Sequence, residues 1–520
     1  MSNIRGILKR DLLHPLPDPL RGVIEQEWSR LEAENMLLRE EIRRLRRAKY
    51  GPKSDRLNDE QLSLLDEEPG VAAEEVESEG QRAEEEKQGA PARKPRHHPG
   101  RAELPAHLER IESILACTPE QCRCAQCGGE KKVIGYDTSE ELDVKPAQYF
   151  VHVTKREKRA CAKCEELGVS TAEVKEPKIV EKGKASNAMV VDVILKKYCD
   201  HLPLYRQSAI LEREAGIELS RMTLCGWVMQ GGLWLESIRE AMRADLLAGS
   251  YIQADETPVG VRSERSPGKN HQSYLWQYSR PGGPVIFDFR MGRSREGPAK
   301  FLGRFAGILQ SDGYAAYDQI GGKGLIHAGC MAHVRRGFVD ALKVAPGDAA
   351  AEAIVAGIGR LYKIEAQARE AQLPFAQRQE LRQEHSVPVL GKLKTQIVAL
   401  RQQVLPKSVL GKACDYALGQ WTRVEVYASH GEVEIDNNWC ENAMRPVAVG
   451  RKNWLHIGSE EAGPRIAAIS SVIETCRRIA VNAREYLLEV LPRIPSWPAK
   501  RIAELTPMAW AVERAPRSAR

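Results

Sequence analysis

The sequence predicts a multidomain α+β protein, in which a mixed α/β core is preceded by a long heptad helix, a cysteine-rich ribbon and a helical hairpin. Three observations lead there. An apolar period of seven runs through residues 22–50, two Cys-x-x-Cys knuckles stand at Cys124/Cys127 and Cys161/Cys164, and between Tyr251 and Tyr317 two short apolar runs each end in an acid. At 520 residues the chain has room for several such domains.

In residues 22–50, Ile24, Leu31, Leu38 and Leu45 recur every seven residues, with Trp28, Asn35 and Ile42 at the companion positions. This is a leucine-zipper-like coiled-coil pattern. With the leucines at d, Asn35 takes an a position, where a buried amide pair favours a parallel, in-register homodimer. Glu34 and Glu41 then oppose Arg39 and Arg46 of the partner helix, whereas Glu27 faces Glu32 and weakens the first heptad. The competing reading is one amphipathic helix packed on its own domain.

Residues 51–105 lose this period and turn polar, as expected of a disordered linker. Between Leu57 and Gln88, twelve acids stand against Arg82 and Lys87, a net of −10; the whole chain carries +6, so the remainder carries +16. A basic body with one acidic tether suits a polyanionic partner. The linker ends in ARKPRHHPGR, Ala92–Arg101, either a phosphate-tracking arm or a solvated tether.

Residues 106–180 read as a zinc ribbon. Cys124, Cys127, Cys161 and Cys164 have the spacing at which two knuckles wrap one tetrahedral Zn²⁺ as a closed structural site, and Cys117 and Cys122 lie near enough to substitute for one of them. In residues 181–245, one helix, a turn at Gly216 and a second helix capped by Ser220 have helix-turn-helix spacing. Leu224, Trp227 and Val228 would face inward, leaving Arg221 and Thr223 for a DNA groove; an ordinary helical hairpin is the plainer alternative.

Residues 246–455 read as strands at 251–261, 274–278 and 284–290, a helix at 294–305, a strand at 307–311 followed by a helix, a short strand at 325–327, and a helix at 330–342. Helical sequence then fills about 348–429, and residues 456–520 continue as a C-terminal helical region. Thr257 and Pro258, after Asp255 and Glu256, are expected to stop the strand from extending inward, and alternation allows only one of the two acids to face a given cleft. Asp312 closes a second strand before Gly313, and Glu441 shares a helical face with Asn438 and Arg445. Three carboxylates on two strands and a helix suit Mg²⁺ or Mn²⁺, and two such ions can serve in-line substitution at phosphorus.

The wording around these acids resembles the insertion-sequence 66 family of bacterial DDE transposases along nearly the whole chain. The phrases are ADETPV at Asp255, QSDGYAAY at Asp312, GCMAHVRRGF from Gly329 to Phe338 and DNNWCENAMRPVAVGRKNWL from Asp436 to Leu455; Met331 stands where the family has tryptophan. The resemblance implies a ribonuclease-H-like core, matching the order of strands and helices above, with Asp255, Asp312 and Glu441 as its catalytic, metal-holding triad. It also makes 348–429 the family's helical insertion, favours the DNA reading of the hairpin, and implies small accessory proteins of the same element. Arg335, Arg336, Arg445, Arg451 and Lys452 lie in these phrases and are candidates to grip DNA phosphates, and His333 reads as a structural histidine.

The function expected is therefore a DNA transposase that binds the terminal inverted repeats of its element and carries out cleavage and transfer into target DNA. A non-catalytic zinc-ribbon regulator and a nuclease without strand transfer are the alternatives. Nucleotide hydrolysis is not expected, because GGKG at 321–324 lacks P-loop spacing. With 28% charged residues, a mean hydropathy of −0.43, no long apolar run and no secretory leader, a cytoplasmic, nucleoid-associated protein without a membrane partner is expected.

Overall fold

The computed structural model describes residues 18–50, scattered positions between 110 and 182, and residues 183–514 apart from 265–267. The linker, the basic arm and the four proposed zinc ligands lie outside the described residues. The chain divides into two compact units, one of residues 89–171 and one of residues 1–88 with 172–520.

In the smaller unit, β1 (Lys158–Ala160) pairs antiparallel with β2 (Val169–Thr171). The larger unit opens with α1 (Asp18–Tyr50), whose Leu31, Leu38 and Ile42 are exposed. Next come α2 (Asn187–Tyr198), α3 (Leu204–Ala215) and α4 (Arg221–Leu247). Gly216, at φ 63°, closes α3, and the Ser220 hydroxyl caps α4 by accepting from the Thr223 N–H. Leu224, Trp227 and Val228 are buried as the pattern predicts, and Arg221 and Thr223 are exposed. The second helix runs far past a recognition helix, because Gly231 and Gly232 allow close approach by Ile194 and Arg465 and its remaining turns pack as a core element.

One mixed sheet organises the rest. Its strands are β3 (Tyr251–Arg262), β4 (Asn270–Ser279), β5 (Val285–Arg290), β6 (Ile308–Gln310) and β7 (Ile326–Ala328), in the order β5-β4-β3-β6-β7. β3 and β5 each run antiparallel to β4, while β6 and β7 run parallel to β3. Helix α5 (Glu296–Leu302) follows β5 and stacks Phe301 on Tyr278, ring centroids 3.7 Å apart.

The first strand corrects the expectation for Pro258, since β3 passes through Thr257 and Pro258 and pairs with β4 as far as Arg262. A strand residue points its N–H and C=O to the same edge, and the Pro258 carbonyl accepts from Arg451 rather than from β4. The missing N–H therefore falls on the open edge, where proline costs no ladder bond. The helix expected after β6 is also corrected: Gly313, at φ 88°, turns the chain into a short 3₁₀ turn, Ala315–Tyr317.

Beyond β7 come α6 (Met331–Val344), α7 (Ala349–Glu370), α8 (Phe375–Leu381), α9 (Val387–Gln403), α10 (Val409–Val424) and α11 (Val426–Ser429). Apart from α8, their apolar faces share one core with Tyr251 and Ile308 of the sheet, around Phe338, Leu393, Ile397 and Trp421. Met331 is fully buried there, so the departure from tryptophan is absorbed by packing. Helix α12 (Asn438–Trp454) then leads into β8 (His456–Ile457), which pairs with β3, and α13 (Ala462–Arg478). Together α12 and α13 cover Val259, Leu275, Val285 and Phe287 of the sheet. Thr475 and Ser471 of α13 accept from the N–H groups of Val285 and Phe287, so β5 is not left as a bare edge. Helices α14 (Ala483–Val490) and α15 (Pro507–Arg514) end the chain.

Candidate active site

Asp255 lies midway along β3, and alternation sends its side chain and that of Glu256 to opposite faces. Glu256 is committed: it accepts from Arg293 Nε at 2.9 Å and from the Tyr317 hydroxyl at 2.9 Å. Asp255 has no such cationic partner among the groups acting on it. Burial pushes its carboxyl well above the usual carboxylate range, and the charges of Glu441, Glu256 and Asp312 push the same way.

Asp312 follows β6, anchored by Ser311 N–H to Ala328 and by the Tyr416 hydroxyl of α10, which donates to the Asp312 carbonyl at 2.7 Å. Its own Oδ1 accepts from the Tyr314 N–H at 2.9 Å, tightening the turn. A Cβ at Gly313 would meet Gln420 at 2.6 Å, in a backbone region that side chains avoid. Gly313→Ala is expected to cost about 1–3 kcal/mol and to displace Asp312; a thermal midpoint equal to that of the wild type would refute this.

Glu441 is brought in by the start of α12, which is bolted to β3 beside Asp255. Asn437 Nδ2 donates to the Ala254 carbonyl at 3.0 Å, Gln253 Nε2 to the Asp436 carbonyl at 2.9 Å, and the Cys440 N–H to Gln253 Oε1 at 3.1 Å. Asp436 itself is buried, with its carboxyl pushed up to about 7 by that burial, and it accepts from the Tyr362 hydroxyl at 2.8 Å. From α6, His333 Nδ1 and Arg336 Nη2 each approach Glu441 to 3.6 Å.

The charges of Glu441 and Asp312 act on both Asp255 and the His333 ring, but among the described residues the three acids do not form a group whose ligand atoms all lie within 4.8 Å of one another. Sequence reasoning gave His333 a structural role, although its spacing from Cys330 was visible. Ligand atoms of Cys330, His333 and Glu441 lie within 4.8 Å of one another. Burial drives the Cys330 thiol well above its usual range, which keeps it a poor ligand for a hard ion. Glu441 Oε1 and His333 Nδ1 are buried without a hydrogen-bond partner. Unsatisfied acceptor atoms beside converging carboxylates fit an oxygen-seeking cation.

The basic candidates separate by burial. Arg335 is 6% exposed and lies beneath the surface, while the Arg336 side chain is 56% exposed. Arg445 is partly buried on α12, and Lys452 is exposed. Arg451 braces the open edge of β3, donating to Thr257 Oγ1 at 2.7 Å and to the Pro258 carbonyl. Arg221 and Thr223 sit together at the start of α4, apart from the acids in the chain's order of elements.

A mixed sheet with one acid on β3, one directly after β6 and one on the packed helix α12 makes a candidate site for phosphate-ester chemistry. The comparisons narrow this. The "Transposase IS66 family" profile matches residues 182–465, and the chain belongs to that family. Three further profiles of IS66-type transposases match: "Transposase C of IS166 homeodomain" at 37–112, "zinc-finger binding domain of transposase IS66" at 121–165, and "IS66 C-terminal element" at 471–508. Among similar proteins, "Uncharacterized protein y4qI" of Sinorhizobium fredii is 35% identical over 485 residues, covering 89% of this chain and 87% of that protein. "Uncharacterized protein y4jD" of the same organism is 33% identical over 431 residues, covering 79% and 82%. No described helix is long and apolar enough to cross a membrane.

Proposed function

We propose that this chain is the DNA transposase of its own insertion sequence, binding the terminal inverted repeats and catalysing strand cleavage and transfer from a ribonuclease-H-like core. The reading is supported by the charges of Glu441 and Asp312 acting on buried Asp255, and by Glu441 Oε1, which is buried without a hydrogen-bond partner. These three would hold Mg²⁺ or Mn²⁺, which when bound stabilises charge on the phosphate and on the attacking and leaving oxygens. The rest falls to the chain's own groups. Exposed Arg336 holds Glu441 by one edge and offers the other to a DNA phosphate, Lys452 adds charge, and Arg451 keeps β3 and α12 in register. Tyr416 fixes the backbone at Asp312, so the acids are presented by rigid elements.

Recognition is assigned to the amino-terminal half. Cys124, Cys127, Cys161 and Cys164 would hold a structural Zn²⁺, and Arg221 and Thr223 at the exposed start of α4 would enter a groove. Leu31 and Leu38, 48% and 56% exposed on α1, form the seam on which a second copy would pack, bringing two element ends together. Accessory proteins of the element would act beside it.

The test is a cellular transposition assay with the gene and its flanking DNA on a donor plasmid, adding the neighbouring reading frames. Movement by the wild type and none by Asp312→Asn is expected. Equal movement by both would remove Asp312 from the chemistry.

A further inference from the structure

Beside the acids lies a basic and aromatic device that the triad does not use. Arg290 ends β5, and the loop joining it to α5 carries Arg293 and Arg295. Arg290 is spent on Asp288 at 2.6 Å, and Arg295 makes only long contacts, to Gln319 at 3.3 Å and to the Ala315 carbonyl at 3.4 Å. Arg293 is different. Its guanidinium lies 3.9 Å from the centroid of the Tyr314 ring, the distance of face-to-face stacking, and its edge is held by Glu256 through Nε at 2.9 Å and Nη2 at 2.5 Å. The Tyr314 hydroxyl donates back to the Arg293 carbonyl at 3.0 Å, so ring and loop lock each other.

The backing is rigid. Tyr317 donates to Glu256 at 2.9 Å and meets buried Trp276 edge-on at 5.7 Å, and Trp276 also neighbours Tyr314 at 6.5 Å. The front is partly open: the Arg293 side chain is 45% exposed while its Glu256 partner is 3% exposed, and the Tyr274 ring centroid lies 5.9 Å from the guanidinium. Placement matters most. Glu256 is the residue after Asp255 and Tyr314 stands two after Asp312, so the platform is built on the backbone that carries two of the three acids. A brace between a loop and a strand would require the Glu256 pair but neither the stacked ring nor an exposed guanidinium plane.

We propose that Arg293 and Tyr314 form a stacking platform for an unpaired nucleobase of the DNA strand that passes the acids, with Arg295 drawing in the adjoining phosphate. An aromatic ring and an arginine plane are sequence-tolerant partners for a base, and cutting or joining a strand end requires bases near the reacting phosphate to leave the duplex stack. The identity of the strand rests on the transposase reading; the platform itself is a claim about binding single-stranded DNA.

The experiment uses the full chain with calcium in place of magnesium. The probes are a short single-stranded oligonucleotide with 2-aminopurine placed at each position in turn, and the duplex of the same sequence. With the wild type, fluorescence at one or two positions is expected to be quenched on binding. Tyr314→Leu and Arg293→Lys should each lose that quenching and bind the single strand ~5-fold or more weakly, with duplex binding unchanged, and Tyr314→Phe should retain both. Quenching and affinity at wild-type levels in Tyr314→Leu would overturn the platform, as would a wild type that binds duplex alone. Failure of the transposase reading has a separate signature: no magnesium-dependent cutting of element ends while the stacking signal and its loss in Tyr314→Leu persist.

Discussion

Asp255→Asn is expected to slow cleavage of element-end DNA by about a thousandfold or more, with binding to that DNA within about twofold of wild type. Glu441→Gln should behave alike. Both substitutions keep shape and remove charge from a place where carboxylates act on one another: Asp255 is pushed towards its neutral form by burial and by Glu441, Glu256 and Asp312, opposed by the Glu256 N–H that donates to its Oδ1 at 2.8 Å. Such an arrangement is unfavourable without a cation and useful with one. The neighbouring Glu256→Gln is the informative comparison, because Glu256 holds Arg293 and Tyr317, so its loss should weaken strand binding while leaving far more cleavage than Asp255→Asn. Cleavage of purified end DNA in magnesium or manganese reads the result. Activity within tenfold of wild type in Asp255→Asn would take Asp255 out of the site.

The second large effect is expected far from the acids. In the helical segment after β7, Glu365 of α7 is fully buried and accepts from Arg378 Nη2 at 2.8 Å and from Arg382 Nε and Nη2, each at 2.8 Å. Arg382 is itself fully buried and donates to the carbonyls of Tyr427 and His430, both at 2.8 Å. Arg378 reaches on to Glu434 at 2.7 Å, and the Glu434 carbonyl accepts from Gln310 of β6. Glu365→Ala would leave fully buried Arg382 without a carboxylate and Arg378 with Glu434 alone, a loss of about 3–5 kcal/mol. Burial alone would raise the Glu365 carboxyl above its ordinary 4.5, but the hydrogen bonds and charges of Arg382 and Arg378 outweigh it and hold it below. The stabilisation is accordingly complete above the unfolded value and is lost as pH falls through the folded one. Faster hydrogen exchange and proteolysis within residues 348–429 should accompany a lower thermal midpoint in Glu365→Ala. Because Glu434 leads directly into Asp436 and α12, cleavage should fall as well. A variant with wild-type exchange across these helices would show that the network is dispensable.

Much of the site was legible in linear form. Asp255 and Asp312 were readable because apolar runs lead into them, and Glu441 because Asn438 and Arg445 share its helical spacing. Sequence also showed that only one of Asp255 and Glu256 could serve, since strand alternation is local geometry. What it did not show is which neighbour would neutralise the other. Arg293 lies 37 residues from Glu256, and only folding brings them together. Arg335 and Arg336 are indistinguishable in the sequence, yet helix rotation buries one and exposes the other. Pro258 was misread for a related reason: whether proline ends a strand depends on which edge its missing N–H faces, and that edge is defined by Arg451 and β4.

By itself, then, the sequence determined the long helix α1, the hairpin with its Ser220 cap and the strand sequence of the core, and it nominated the cysteine knuckles and the three acids on which the proposed function rests, all from periods and spacings within short windows. Only the tertiary structure decided that α12 is bolted to β3 through Gln253 and Asn437, that Glu441 meets His333 and Arg336, and that Arg293 stacks on Tyr314. Those contacts join residues distant in the chain, and their energies exist only once packing has excluded water and fixed each side chain against its partner.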